Sequence, residues 1–316
     1  MLQSVRARNG TRAMTDAIRI HITEVGPRDG LQNETAILDT SAKIALVDTL
    51  SASGLREIET SSFVRPDVVP QLADAMEVFA GITRAKDVIY SALVPNMKGF
   101  HRALEAGAMK VCVFTAVTET FCQRNINATF EESLNRFAPV IQESAQAGIP
   151  VRAYLSCIVR CPYEGPVAPE VVRESVARLC ALGDVEIALG ETLGVAQPEE
   201  IEAVIDATGD VVAPSEMVLH LHDTKGRAIQ SVDRAVQMGV RSFDTACGGL
   251  GGCPFADGAP GNLATERLLA YAGEVGWHTG VDVSVVRDAA SAVAAALGPK
   301  RDEASDSASR TIEGSS

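Results

Sequence analysis

The sequence is short of positive charge, has no long apolar run, and lacks an even set of cysteines. Lysine and arginine number 28 against 41 aspartates and glutamates, a formal net charge of −13. Nucleic-acid binding asks for a basic face, so that class of partner is excluded. An anionic small molecule is not excluded, because a few local cations suffice to hold one. No apolar stretch approaches the roughly 18 residues of a membrane span, and the polar, basic opening MLQSVRARNGTRAMTD contains no secretory core. The seven cysteines (112, 122, 157, 161, 180, 247 and 253) are an odd, scattered set. Reduced thiols in a cytoplasmic protein are the expectation. Cys157 and Cys161 lack the second pair that a zinc knuckle needs.

What is present is enough apolar residue, 46% of 316, to bury a large core. From Ile18 onward, short β-branched runs alternate with segments of helical spacing such as Ala42–Leu50 and Ile201–Thr208. Strands are predicted at 18–25, 57–61, 88–94, 110–116, 151–156, 185–189, 218–222 and 242–246. Starts such as Asp39–Thr40–Ser41 and stops at Gly54, Gly107 and Gly148 mark the helices. Eight strands at intervals of roughly 30 residues predict a single (β/α)8 TIM barrel over 18–297, in preference to an open α/β sheet. Further C-terminal helices are expected at Ala264–Val275 and Val285–Leu297. Residues 1–17 read as a flexible leader, and the serine-rich 298–316 as a disordered tail.

In such a barrel the chemistry sits where strands end, and unusual polar residues collect there. The run Val218–Thr224, VLHLHDT, carries the strongest signal. On a strand, His220 and His222 face the same way. Two neutral imidazoles in an apolar setting point to a divalent metal, with separately bonded core histidines as the plainer alternative. Asp29, ending the first strand, and Asn262, after the last, lie on neighbouring strands once the barrel closes and are candidate oxygen ligands. Capping a helix and forming a turn are their alternative roles. Two imidazoles with a carboxylate and an amide oxygen suit Mg2+ or Mn2+, and Zn2+ less well. Arg28 is placed to neutralise developing negative charge, or to pair with Glu59 or Glu191. Cys253, in the loop GGLGGCPF, is either a proton donor near the metal or an inert thiol. The closely spaced glycines of that loop follow the last strand and lack dinucleotide spacing, which rejects a Rossmann reading.

Taken together, EVGPRDGLQNE (24–34), ETSSFV (59–64), LVPNMKGF (93–100), YLSC and CPYEG (154–165), HLHDT (220–224) and GGLGGCPFADGAPGNLATE (248–266) resemble the 3-hydroxy-3-methylglutaryl-CoA lyase family of TIM-barrel metallolyases. The resemblance spans about residues 18–295. It implies a metal on Asp29, His220, His222 and Asn262, Arg28 as enolate stabiliser, Cys253 as proton donor, and Glu59 as the acid supporting Arg28. It also implies that Gln32, Tyr154 and Thr192 line the substrate pocket, and that Asn96, Lys98 and Arg124 lie near acyl-CoA. The activity implied is cleavage of 3-hydroxy-3-methylglutaryl-CoA to acetyl-CoA and acetoacetate, chemistry of leucine degradation and ketone body metabolism. A homodimer is implied by analogy.

The sequence departs from the family in places. Glu191 stands in Gly190-Glu191-Thr192 where the family commonly has aspartate, its favoured base. One added methylene moves a carboxylate by roughly an ångström, enough to alter rate or selectivity. Lys225 and Arg227 follow HLHDT where neutral residues are common. The C-terminal cysteine of some members is absent. Alternatives to the methyl substrate are a longer 3-hydroxy-3-alkylglutaryl-CoA such as the isohexenyl compound, a barrel that binds metal and CoA esters with little turnover, and the condensing direction.

Overall fold

The computed structural model describes residues 18–251 and 261–298. Eight parallel strands form a closed barrel. They are β1 (His21–Glu24), β2 (Glu57–Ser62), β3 (Ile89–Leu93), β4 (Lys110–Ala116), β5 (Val151–Ser156), β6 (Glu186–Glu191), β7 (Met217–Leu221) and β8 (Ser242–Thr245). Around them run α1 (Thr40–Ser51), α2 (Ala75–Gly81), α3 (Met97–Glu105), α4 (Glu119–Ile126), α5 (Phe130–Ala147), α6 (Pro169–Cys180), α7 (Pro198–Thr208), α8 (Ala228–Gln237), α9 (Thr265–Val275) and α10 (Val283–Leu297). All eight predicted strands form. The first is shorter than expected, because Ile20 leaves the ladder to donate its N–H to the His278 carbonyl at 2.9 Å. α10 starts two residues early, where the Asp282 side chain caps the Ser284 N–H at 2.8 Å. A two-stranded hairpin, Arg160–Cys161 with Gly165–Pro166, carried no sequence signal. The leader, and all of the tail beyond Gly298, fall outside the described residues.

Most of the apolar core lies between strands and helices. The barrel interior is different. Because alternate residues face inward, the lower ends of the strands bring in Glu57, Lys110, Arg152 and Glu186. Lys110 Nζ donates to Glu57 at 3.0 Å and to Glu186 at 2.5 Å. Arg152, 2% exposed, pairs with Glu186 and crosses to Asp244 at 3.0 Å. Two residues further along these strands come Cys112, Tyr154 and Ala188, which with Leu93 and Val218 form a small apolar layer. A layer of buried charge is tolerable only because each ion has an opposite partner.

β1 pairs with both β2 and β8, and buried Glu24 secures the β8 side of this seam. Its carboxylate accepts the N–H of Gly26 at 2.8 Å and of Cys247 at 2.9 Å, and the Thr265 hydroxyl at 2.7 Å. Burial pushes its carboxyl up to about 7. The folded value exceeds the ordinary 4.5, so Glu24 contributes full stability below that pH and loses it as pH rises through 7. The displacement corresponds to roughly 3 kcal/mol. Glu24→Gln removes the charge and keeps one oxygen to accept the Gly26 and Cys247 N–H groups. Its thermal midpoint relative to the native protein is therefore expected to be higher at pH 8 than at pH 5. Thermal melts of both proteins at the two pH values check this, and an equal difference at both contradicts it.

Candidate active site

Immediately after β1 the chain makes one turn of π-helix, Gly26–Gly30, in which the N–H groups of Arg28, Asp29 and Gly30 all point at the Val25 carbonyl. Such turns recur at functional sites, and this one aims two charged side chains into the barrel mouth. Its glycines are required by contact. A Cβ on Gly26 would lie 2.6 Å from the Glu24 carboxylate, and one on Gly30 would lie 2.7 Å from Leu250 Cβ.

Across the seam, His220 in β7 and His222 just beyond its end have ring centroids 5.4 Å apart. One ligand atom each from Asp29, His220 and His222 lie within 4.8 Å of one another. His220 Nε2 is 3.8 Å from Asp29 Oδ2, and His220 Nδ1 is 3.2 Å from Asp244 Oδ2. Asn262 bridges in sheet fashion to His222, and its Nδ2 donates to Asp29 Oδ2 at 2.8 Å. A metal on this amide would take the oxygen, which a half-turn of the side-chain amide presents.

The electrostatics favour a cation here. Burial alone would raise the Asp29 carboxyl, but Arg28, His220 and His222 pull it well below the usual range. Burial, then His220, lowers His222 to about 4, so its ring is neutral at neutral pH, the form that binds metal. Its Nδ1 is buried without a hydrogen-bond partner among the described residues. Burial also works against a charged His220, but Asp244 and Asp29 outweigh it and raise its pKa. These residues fit a divalent ion by donor type, convergence and protonation.

Beside the cluster, the Arg28 guanidinium is tied down by NH1 to Asp29 at 2.6 Å and NH2 to Glu59 at 2.7 Å. It lies over the Tyr154 ring, 5.5 Å from its centre, and the Tyr154 hydroxyl donates to Glu59 at 3.1 Å. The third nitrogen, Nε, is buried and has no partner among the described residues. Thus Arg28, Asp29, Glu59, Tyr154, His220, His222 and Asn262 meet in one place. The Gln32 amide oxygen is buried without a partner among the described residues.

The other expected site residues lie apart from this cluster. Glu191 pairs in register with Leu221, so it has the opposite parity to His220. Its carboxylate accepts the Val195 N–H on its own loop at 3.3 Å and faces a small cavity behind His222, shared with Gly194 and Arg227. Burial raises it to about 7. Its side chain leaves the strand on the face opposite to that of His220. The Thr192 hydroxyl accepts the Cys157 N–H at 2.9 Å. Asn96 caps α3 through the Gly99 N–H at 3.1 Å. Lys98 and Arg124 are exposed, and Arg124 stacks on Tyr163 at 4.3 Å. Cys253 lies outside the described residues. Sequence reading passed over Asp244 and Arg152. The available signal was a lone ionisable residue in each of two strands, SFDT and VRAYLS, where a buried charge demands a partner.

The HMGL-like family profile matches residues 19–293. A Pseudomonas aeruginosa 3-hydroxy-3-isohexenylglutaryl-CoA/hydroxy-methylglutaryl-CoA lyase is 44% identical over 280 residues, covering 89% of this chain and 93% of its own. The crystal structure of an HMG-CoA lyase from Brucella melitensis superposes with a TM-score of 0.86 at 44% identity, covering 88% of this chain and 98% of that one. An Acinetobacter baumannii HMG-CoA lyase in complex with coenzyme A and 3-methylmalate superposes with a TM-score of 0.84 at 35% identity, over 94% and 97%.

Proposed function

Because this chain belongs to the HMGL-like family, we propose that it is a carbon–carbon lyase cleaving 3-hydroxy-3-methylglutaryl-CoA to acetyl-CoA and acetoacetate. The observation that carries this reading is the convergence of Asp29, His220 and His222 beside a buried arginine, at the barrel face where strands end. These three residues, with Asn262, would hold the divalent ion. Their mixed oxygen and imidazole donors suit Mg2+ or Mn2+ better than Zn2+. When bound, the ion supplies Lewis acidity that makes the substrate's tertiary hydroxyl acidic.

Glu191, at the position of the family's base, takes that hydroxyl proton, and the C3 oxygen becomes a ketone as the C2–C3 bond breaks. The bonding pair passes to C2, giving the enolate of acetyl-CoA. Arg28 is held by two carboxylates and Tyr154, with Nε free to donate to the enolate oxygen. Glu59 orients that guanidinium and has its own carboxyl raised by burial. Cys253 then delivers a proton to C2. Gln32 and Thr192 are assigned to the pocket rim, and Asn96, Lys98 and Arg124 to the approach of the CoA phosphates. The six free cysteines among the described residues accord with the reducing compartment in which such thiols persist.

A second substrate is favoured by the Pseudomonas aeruginosa relative, whose name joins the isohexenyl and methyl compounds. Acetyl-CoA release is therefore to be followed from both esters, with Mg2+ and after chelation. Release that stops on chelation and returns with Mg2+ is expected. No acetyl-CoA from either ester rejects the lyase reading.

A further inference from the structure

We propose that Asp244 is the positioning residue of His220, and that Arg152 holds Asp244 in that role from across the barrel. The inference rests on the reading of His220 as a metal ligand and names what fixes that ligand. β8 sits between β1 and β7, and Asp244 is in register with Thr23 on one side and His220 on the other. It is wholly buried, and its two oxygens have different duties. Oδ1 accepts from Arg152 NH1 at 3.0 Å, and Oδ2 faces His220 Nδ1 at 3.2 Å. The opposite nitrogen of the same ring, Nε2, faces Asp29.

A proton shared between Nδ1 and a carboxylate leaves the Nε2 lone pair for the cation and sets the plane of the ring. His222 has no such partner on Nδ1, so of the two rings only His220 is braced in this way. Arg152 explains why Asp244 stays turned toward the ring. Its Nε is taken by Glu186, while NH1 and NH2 share Thr23 Oγ1 at 3.2 Å and NH2 also reaches Glu57 at 3.4 Å. The guanidinium cannot swing, and neither can the carboxylate it holds. A plain counterion to Arg152 is the competing role for Asp244. Glu186 and Glu57 already balance the two positive charges of Arg152 and Lys110, however, and the second oxygen of Asp244 is spent on the imidazole.

The two roles separate in the tautomer of His220. Heteronuclear NMR of the metal-free protein at alkaline pH, with the signal assigned by its loss in His220→Ala, is expected to show the proton on Nδ1. In Asp244→Asn the amide oxygen stays with Arg152 and the NH2 group donates to Nδ1, which moves the ring proton to Nε2. Mn2+ affinity, measured by calorimetry, should fall about 10- to 100-fold. Thr23→Val loosens Arg152 but leaves the Asp244–His220 pair in place, so it should lower Mn2+ affinity by a smaller factor than Asp244→Asn does. A native ring protonated on Nε2, an Asp244→Asn variant with unchanged Mn2+ affinity, or an equal loss in Thr23→Val each overturns the proposal. If Asp244→Asn does not fold, the native tautomer alone decides. A native protein that binds no Mn2+ defeats the metal reading itself, whereas unchanged binding in the variant defeats only the role of Asp244.

Discussion

Arg28→Lys is expected to lower kcat for thioester cleavage by about two to three orders of magnitude, the usual cost of one preorganised donor at a developing oxyanion. The charge is kept, so the loss measures geometry. In the native protein each terminal nitrogen gives an N–H to a carboxylate, of Asp29 or of Glu59, and Nε is buried and, among the described residues, has no partner. A lysine ammonium is a single point on a flexible stem. It can satisfy the two carboxylates or reach the substrate, but it cannot present a fixed third donor. Stability should change less than in Arg28→Gln, which strands Glu59 as a buried charge at a cost of roughly 3–5 kcal/mol. Steady-state release of acetyl-CoA, measured with Mn2+ affinity and a thermal melt, separates these effects. A kcat within about fivefold of native, at equal metal affinity, would show that Arg28 does not meet the reacting oxygen.

The parts of this arrangement that could be read from sequence are those fixed by strand parity and closure. His220 and His222 face one way because strands alternate, and Asp29 and Asn262 approach because β1 and β8 are adjacent in a closed barrel. The same parity rule, applied to GET after strand six, would have turned Glu191 outward. The register that decides it, Gly190 with His220 and Glu191 with Leu221, is a property of the folded sheet. The π-turn carrying Arg28 and Asp29 was illegible for a related reason. Three N–H groups converging on the Val25 carbonyl reflect the fit of Gly26 and Gly30 against Glu24 and Leu250, contacts more than 200 residues away for Leu250. Asn96 was read through its place in a motif, whereas its side chain is engaged in capping α3. The interior layer of Arg152, Glu57, Lys110 and Glu186 escaped because each residue looks like an ordinary charge at a strand start. Only closure places them against one another.

His222→Ala is expected to lower turnover by roughly three orders of magnitude or more, since several kcal/mol of metal-derived stabilisation are lost. The thermal midpoint of the metal-free protein should stay the same or rise slightly. The two halves of this expectation have one cause. The ring is buried, its Nδ1 has no partner among the described residues, and burial drives its pKa down to about 4, so the metal-free fold carries a neutral imidazole whose Nδ1 makes no hydrogen bond. A residue placed to hold the barrel together would behave in the opposite way, with stability falling when it is removed and activity falling only in proportion. Mn2+ titration completes the comparison. Affinity is expected to drop by about 100-fold or more, and with it the ligand-induced rise in thermal midpoint. Full turnover in this variant, or undiminished Mn2+ binding, would remove His222 from the metal site and leave its burial unexplained. Loss of stability without loss of binding would make it a core histidine, the plainer of the two readings that the His-x-His pattern allows.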